Sequence, residues 1–535
     1  MIKRALLILF AIVAFVLVFG ASFFWRDANV AKYQLEVEAS SIPIFEPIAL
    51  SFAHEYASKK SIPLVPSAAV DIDNDGHDEV FLGGGLHQAD ALFKFSKKGF
   101  QNITQQVNFK DKGMYTSIGV ATADFDNNGF QDIMVSREDG LHLYYNEQGR
   151  FRHQAILTPI NQKSTPTGIT LGDIDKDGDL DVFLSTYLKK ELMEGQTIFE
   201  DYAYGSTSAL LLNEGKERFK NITTAAGLDY VHNTFMAILV DIDDDGNLDL
   251  IVAHDTGEVR TYRNNGNLSF TLKENPLTKK FAYPMGIAAG DYNNDGRIDF
   301  AFSNTGSTLP RFLAKGDIKD ARRFNEKWLL YQNNGNFKFQ DVAQVRKIAN
   351  YEFGWGAVFA DMNNDGLQDL MVAENYVDLL PNKFFRLPSR LLIQSPDHTF
   401  GATEKVSGVK NLYFGITPLV SDFNGDGHLD LIWTNINSPS LAFLNQGQGG
   451  NYLKVILPKN AQNIGAKVQV ELSSGQILTE FLLVGEGLAS DQTAALHFGL
   501  GQAKSIVRVR IQYLSGEVAY INQPPINSIV HLNTH

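Results

Sequence analysis

Cysteine is missing altogether. Its absence excludes a disulfide scaffold, thiolate-bound zinc or iron–sulfur sites, a cysteine nucleophile and a cysteine-linked lipid anchor. Positive charge is in short supply: 47 Lys and Arg face 61 Asp and Glu, a formal net charge of −14. No basic stripe of the kind that grips nucleic acid is therefore expected. Seventeen prolines against 45 glycines exclude a collagenous or proline-rich disordered chain. Signatures of catalysis are lacking too: there is no HExxH, no GxSxG, no phosphate loop ending in GK[ST] and no dinucleotide fingerprint. What remains is a chain of 535 residues, long enough for three or four domains or for one large repeat domain with an addition.

The amino terminus carries the one long apolar run. Lys3 and Arg4 precede 21 uncharged residues from Ala5 to Trp25, and Arg26 and Asp27 close them. As a helix this run spans about 31 Å, one hydrocarbon core. It reads as an uncleaved transmembrane signal anchor, or as a cleaved signal peptide with Gly20, Ala21 and Ser22 small enough for a cleavage site. Either reading leaves the rest of the chain extracytoplasmic, periplasmic or extracellular: held on the cell membrane by a single pass, or secreted if cut.

Beyond it, one nine-residue pattern recurs seven times: acid, x, Asp/Asn, x, Asp/Asn, Gly, x, x, Asp/Glu. The copies begin at Asp71, Asp124, Asp173, Asp241, Asp291, Asp361 and Asp422. Side-chain oxygens at positions 1, 3 and 5 alternate toward the inside of a tight loop. Glycine at position 6 turns the chain back, and the acid at position 9 closes the shell. Calcium, which takes six to eight oxygen ligands in flexible geometry, suits such a loop better than magnesium. The candidate ligands are Asp71, Asp73, Asp75 and Glu79; Asp124, Asp126, Asn128 and Asp132; Asp173, Asp175, Asp177 and Asp181; Asp241, Asp243, Asp245 and Asp249; Asp291, Asn293, Asp295 and Asp299; Asp361, Asn363, Asp365 and Asp369; Asp422, Asn424, Asp426 and Asp430. They contain 24 acids, and seven Ca²⁺ would cancel the formal −14. Asn128 lowers the charge of the second loop, which is expected to bind less tightly. An EF-hand is excluded, because its twelfth loop position is Glu whereas Leu82 and Val135 stand there in the first two copies.

Short β-rich runs follow each loop (VFLGG, IMVSR, LIVAH), and small, β-prone residues precede it, as in SIGVATADF. The loop therefore joins two strands. Further on come a third strand, an Asn-x-Gly turn and an aromatic, as in LYQNNGNFKF. Four strands per repeat of about 50 residues is the arithmetic of a propeller blade. The expected fold is all-β: a transmembrane helix in 1–27, a linker in 28–44, a seven-bladed β-propeller over 45–450, and a small β-rich domain in 451–535. The orphan pattern IALSFAH (48–54) is expected to supply the outer strand of blade 7 and close the ring.

These motifs resemble the FG-GAP/VCBS repeats of integrin-type β-propellers, with Phe353-Gly354 and Phe414-Gly415 matching the Phe-Gly element. NIGAKVQVELSSG (463–475), FGLG (498–501) and VRVRIQYLSGE (507–517) resemble the ASPIC/UnbV domain, and together they suggest the bacterial type of the CRTAC1-like family. The resemblance implies the integrin-α-like fold and calcium.

Three insertions lengthen the repeats between strands two and three: 187–206, 306–328 and 375–390. They should lie across the disc from the carboxylate loops. Lys189, Lys190, Arg311, Lys315, Arg322, Arg323, Lys327, Lys383, Arg386 and Arg390 stand in or beside them, among Tyr187, Tyr202, Tyr204, Trp328, Phe384 and Phe385. The reading is a basic, aromatic rim for an anionic polysaccharide or a protein partner, in an adhesion or binding module. Two others stay open: a carbohydrate lyase or dehydratase built on such a propeller, and a periplasmic assembly scaffold.

Overall fold

The computed structural model describes residues 37–532, apart from 58–59, 112, 196–197, 217, 307–310, 377–385 and 448, together with 9–10, 12–14 and 17. Most of the apolar run 5–25 and of the linker lies outside the described residues. Among the described residues no helix is long and apolar enough to cross a membrane.

The chain forms seven four-stranded antiparallel sheets resembling propeller blades, followed by a β domain of one three-stranded and one four-stranded sheet. In sheets one to six the strands lie in chain order. Sheet 4 is typical: Thr234–Val240, Asp249–His254, Val259–Asn264 and Phe270–Lys273. Its first two strands are buried throughout and its fourth is half exposed, so the sheet grades from an apolar inner strand to a wet outer one. Inner strands of successive sheets pack side by side, and that of sheet 7 packs back on that of sheet 1.

Small residues set this inner spacing. A Cβ at Gly168 would stand 2.5 Å from the carbonyl oxygen of Phe235 on the next sheet, and one at Gly356 would stand 2.7 Å from that of Ile416. Backbone fills the space that a side chain would need. Gly356→Ala is accordingly expected to cost about 1–3 kcal/mol, the usual penalty for overpacking, read as a lower denaturant midpoint at unchanged slope.

The ring is stitched by a strand from before the first repeat, but not the expected one. Phe45–Ile48 pairs antiparallel with Leu441–Asn445, Phe45 opposite Asn445. Residues 49–54 instead give their carbonyls to neighbouring loops: Ala49 to the Phe100 N–H, Phe52 to Ser440 and His54 to Asn437. The alternating pattern of 48–54 is real, but its apolar positions fill the seam between sheets 7 and 1 and do not form a ladder.

The C-terminal domain covers the side of the ring that carries the acidic loops. Its segment 484–492 enters the axis and bonds to the inner strands. The Thr170 hydroxyl donates to the Val484 carbonyl at 2.8 Å, and the Val420 N–H to the Gln492 side chain at 3.0 Å. Ile287 pairs with Gly487 and Ala68 with Asp491. At the centre, Asp491 Oδ2 accepts from the Thr122 N–H, the Thr122 hydroxyl and Lys459 Nζ, each at 2.7 Å.

Candidate metal centres

Each acidic loop is held open by its own backbone. The position-1 carboxylate accepts the N–H groups of positions 5 and 6, as Asp124 does from Asn128 (3.0 Å) and Gly129 (2.8 Å). The position-9 acid is the first residue of the second strand in all seven sheets. In every loop but the fifth, where Asp299 Oδ2 has no partner, one of its oxygens takes the position-2 N–H, as Asp132 does from Phe125 at 2.9 Å. In loops 2 to 7 the other accepts a backbone N–H from the end of the third strand, as Asp132 does from Asn146 at 2.6 Å. Asn146 then donates its side-chain amide to the Gln131 carbonyl at 3.1 Å. Asn213, Asn264 and Asn445 repeat this brace. The Asn-x-Gly signal that marks the turn in the sequence thus also orients the closing acid.

In four loops these constraints gather three carboxylates with oxygens within 4.8 Å of one another: Asp71, Asp73 and Glu79; Asp124, Asp126 and Asp132; Asp173, Asp175 and Asp181; Asp241, Asp243 and Asp249. The gathered positions are 1, 3 and 9. At position 5 one side-chain oxygen, that of Asp75, Asn128, Asp177 or Asp245, accepts the N–H of position 7. The second loop keeps all three gathered acids, and the Asn128 side chain accepts the Phe130 N–H at 2.8 Å and donates to the Asn146 carbonyl at 3.0 Å. Loops 5 to 7 carry Asn293, Asn363 and Asn424 at position 3, so they bring two acids and an amide there. Each of these amides donates to the acid at position 5, at 3.4, 3.0 and 2.9 Å.

Burial sets the acidity. It pushes Asp132, Asp181 and Asp249 up to about 8 and Glu79 to about 7, with like charges of the same loop adding to the effect. Asp71, Asp241 and Asp291 rise to about 6 for the same reason. Asp175 Oδ1 and Asp243 Oδ1 are buried oxygens without a hydrogen-bond partner. Clustered carboxylates short of positive charge, with buried acceptors to spare, fit a hard divalent cation.

The loops differ in whether the protein supplies positive charge of its own. Lys94 Nζ lies 2.6 Å from Glu79, 2.8 Å from Asp73 and 2.9 Å from Asp75. Arg263 contacts Asp243 at 2.8 Å and Asp245 at 2.6 Å. The two occupy the same register position: Val80 pairs with Phe93 in sheet 1 and Leu250 with Tyr262 in sheet 4, one residue before each cation. By the same register, sheets 2 and 3 have Tyr145 and Leu212 there. In loop 7 the buried Lys454 of the C-terminal domain reaches Asp422 at 3.1 Å. Loops 2 and 3 are thus the carboxylate clusters without a Lys or Arg ion pair among the described residues.

Across the disc, the insertions hold most of their charge internally. Arg390 is buried between Glu374 (2.5 Å) and Glu404 (2.8 Å). Arg311 pairs with Glu326 at 2.8 Å, Arg322 with Asp320 at 2.9 Å, and Arg323 with Glu200 at 3.2 Å on another insertion. Lys315 donates to the Ile318 carbonyl at 2.6 Å. Trp328 and Tyr187 are buried, whereas Tyr202 is exposed. The expected basic rim is corrected on these points, since compact loops satisfy long cationic side chains locally. Lys383, Phe384 and Phe385 lie outside the described residues.

Family models place this chain. The FG-GAP-like repeat matches residues 71–135, 124–184, 241–302 and 321–372, and the ASPIC and UnbV model matches 457–535. The chain therefore carries FG-GAP repeats and a C-terminal ASPIC and UnbV domain. It is distantly homologous to cartilage acidic protein 1: 23% identical to the Xenopus tropicalis protein over 468 residues, covering 81% of this chain and 68% of that one. With the Mus musculus protein the identity is 22% over 508 residues, covering 79% and 73%. Among solved structures, the BP39L lectin from Burkholderia pseudomallei aligns at a TM-score of 0.45 with 9% identity, covering 72% of this chain and 97% of that one.

Proposed function

We propose that the protein is an exported binding module: an integrin-α-like seven-bladed propeller, stabilised by calcium, that presents its insertion side to a polysaccharide or protein partner. The apolar run 5–25 would hold it to the membrane, with the bulk of the chain extracytoplasmic. Calcium would be held first by Asp124, Asp126 and Asp132 and by Asp173, Asp175 and Asp181, then by the loops that already face Lys94 and Arg263. The loops with Asn at position 3 would fill last.

The observation that carries this reading is the division of the disc. The C-terminal domain lies on the acidic loops: Gln368 donates to Glu480 at 2.8 Å, His497 meets the Asn364 side chain at 2.6 Å, and Lys467 meets Asp244 at 3.1 Å. The first two insertions meet on the other side, where the Phe199 N–H donates to Asp317 at 2.8 Å and the Phe199 ring lies 5.0 Å from Tyr283. Loops mounted on a rigid scaffold are where recognition concentrates. Because their charges are paired, binding should depend more on shape and aromatic contact than on net charge.

A glycan array probed in calcium and then in chelator tests the reading. Retention on a defined glycan class, lost on chelation and little changed between 0.05 and 0.3 M salt, is the expected result. No retention on any glycan, together with no partner recovered by crosslinking on intact cells, would remove it.

A further inference from the structure

At the ring axis on the insertion side lies a cavity of about 160 Å³. Five aromatic residues line it: Tyr187, Phe235, Tyr283, Phe353 and Trp355. They come from the ends of strands in sheets 3, 4 and 6 or, for Tyr283 and Phe353, from just before the inner strands of sheets 5 and 6, at the edges opposite the acidic loops. From the other side the axis is filled by the 484–492 segment, whose Ala489 N–H meets Met236 Sδ at 3.0 Å.

Among the described residues one carboxylate faces this apolar space. Asp255 follows the second strand of sheet 4, is 8% exposed, and lines the cavity. The Tyr187 hydroxyl donates to its Oδ2 at 2.6 Å. Among the described residues it has no Lys, Arg or His ion-pair partner, and no positive charge figures among the groups acting on it. Burial pushes its carboxyl up to about 6. The preceding His254 turns away, its Nδ1 bonded to Thr234 at 2.9 Å. Both phenols and the indole are engaged with oxygens of the protein itself: Tyr187 with Asp255, Tyr283 with the Ala314 carbonyl at 2.7 Å, and Trp355 with the Asn375 carbonyl at 3.4 Å. The cavity thus offers a ligand aromatic surface and one acid, with Lys190 entering half-buried from the first insertion.

We propose that this cavity binds a small organic ammonium compound, its charged nitrogen set against Asp255 and its alkyl groups against the aromatic walls. A carboxylate buried without a cation is costly, and an ammonium ion enclosed by aromatic rings gains from both the acid and the ring faces. The volume sits below the roughly 300–1,000 Å³ of sites for drug-sized molecules, so the occupant is small. Lys190 suits an acceptor oxygen at the far end of the same ligand. The site is separate from the acidic loops and does not depend on their holding calcium.

Calorimetric titration of the full chain with choline and with 3,3-dimethylbutan-1-ol, its uncharged counterpart of the same shape, tests the assignment. At least ten-fold tighter binding of choline is expected. Asp255→Asn should bring the ratio near one while leaving the affinity for the alcohol unchanged. Equal affinities in the unmodified protein, no heat from either compound up to 20 mM, or a preference that survives D255N would each overturn it. The ratio in the unmodified protein decides the question even where D255N fails to fold.

Discussion

Chelating calcium is expected to lower the thermal midpoint of this protein by on the order of 10 °C. A ligand that binds only the folded state stabilises it by about 4 kcal/mol per site at a thousand times its Kd. Loops 2 and 3, each with three gathered carboxylates and no Lys or Arg against them, supply two such sites. A ring of about 400 residues shifts by roughly 1 °C per kcal/mol. The effect should be specific: the pair Asp132→Asn and Asp181→Asn removes one gathered acid from each loop and is expected to abolish most of the response to EGTA. Lys94→Met should act in the opposite sense. It takes away the ammonium that Glu79, Asp73 and Asp75 now share and should add one calcium to the stoichiometry found by equilibrium dialysis. A midpoint that moves by less than 2 °C in EGTA would remove calcium from the account of stability.

The second large effect belongs to the core of the disc. Asp491→Ala is expected to cost about 3–5 kcal/mol, the usual penalty for leaving one partner of a buried ion pair uncompensated. Lys459 and Asp491 are both buried, and Asp491 Oδ1 also accepts the Gly485 N–H at 3.0 Å, holding the bend of the axial segment. Loss should appear as a lower urea midpoint and faster proteolysis between 482 and 495. Replacing both partners by apolar residues of similar size, Lys459→Met with Asp491→Leu, should recover part of the loss. If D491A unfolds at the same urea concentration as the unmodified protein, the axial segment is an ornament to the ring and not a fastening.

The repeats were legible because they combine a rigid nine-residue spacing with chemistry that has few other uses. Seven sheets, the strand on either side of each loop and the place of the insertions all follow from it. The closing strand was missed because Phe45–Ile48 reads FEPI, with a proline and an acid in four residues, whereas the neighbouring IALSFAH alternates better and ends buried between sheets. Selection among the loops was legible only in part. Asn at position 3 is plain in the sequence, but Lys94 and Arg263 become equivalent only once strand register is known, since their distances from the preceding loop differ. Alternation along the loop did not show that the N–H of position 7 takes one oxygen of position 5, while the other oxygen, in Asp75 and Asp245, faces the same cation as position 3. The axial segment had no signal: Gly485, Gly487 and Asp491 acquire their meaning from partners such as Thr122, more than 350 residues earlier.

The pairing of Phe45–Ile48 with Leu441–Asn445 joins positions 400 residues apart. During synthesis the leading strand must wait, at a few to twenty residues per second, for tens of seconds before its mate exists. Through that interval the nascent sheet 7 edge and the unzipped leader are each exposed to neighbouring chains, the circumstance in which strands exchange between copies. The delay makes this protein a candidate client for a chaperone holdase, and shortening the path by moving the leading strand to the end of the ring should speed refolding more than it changes the final stability.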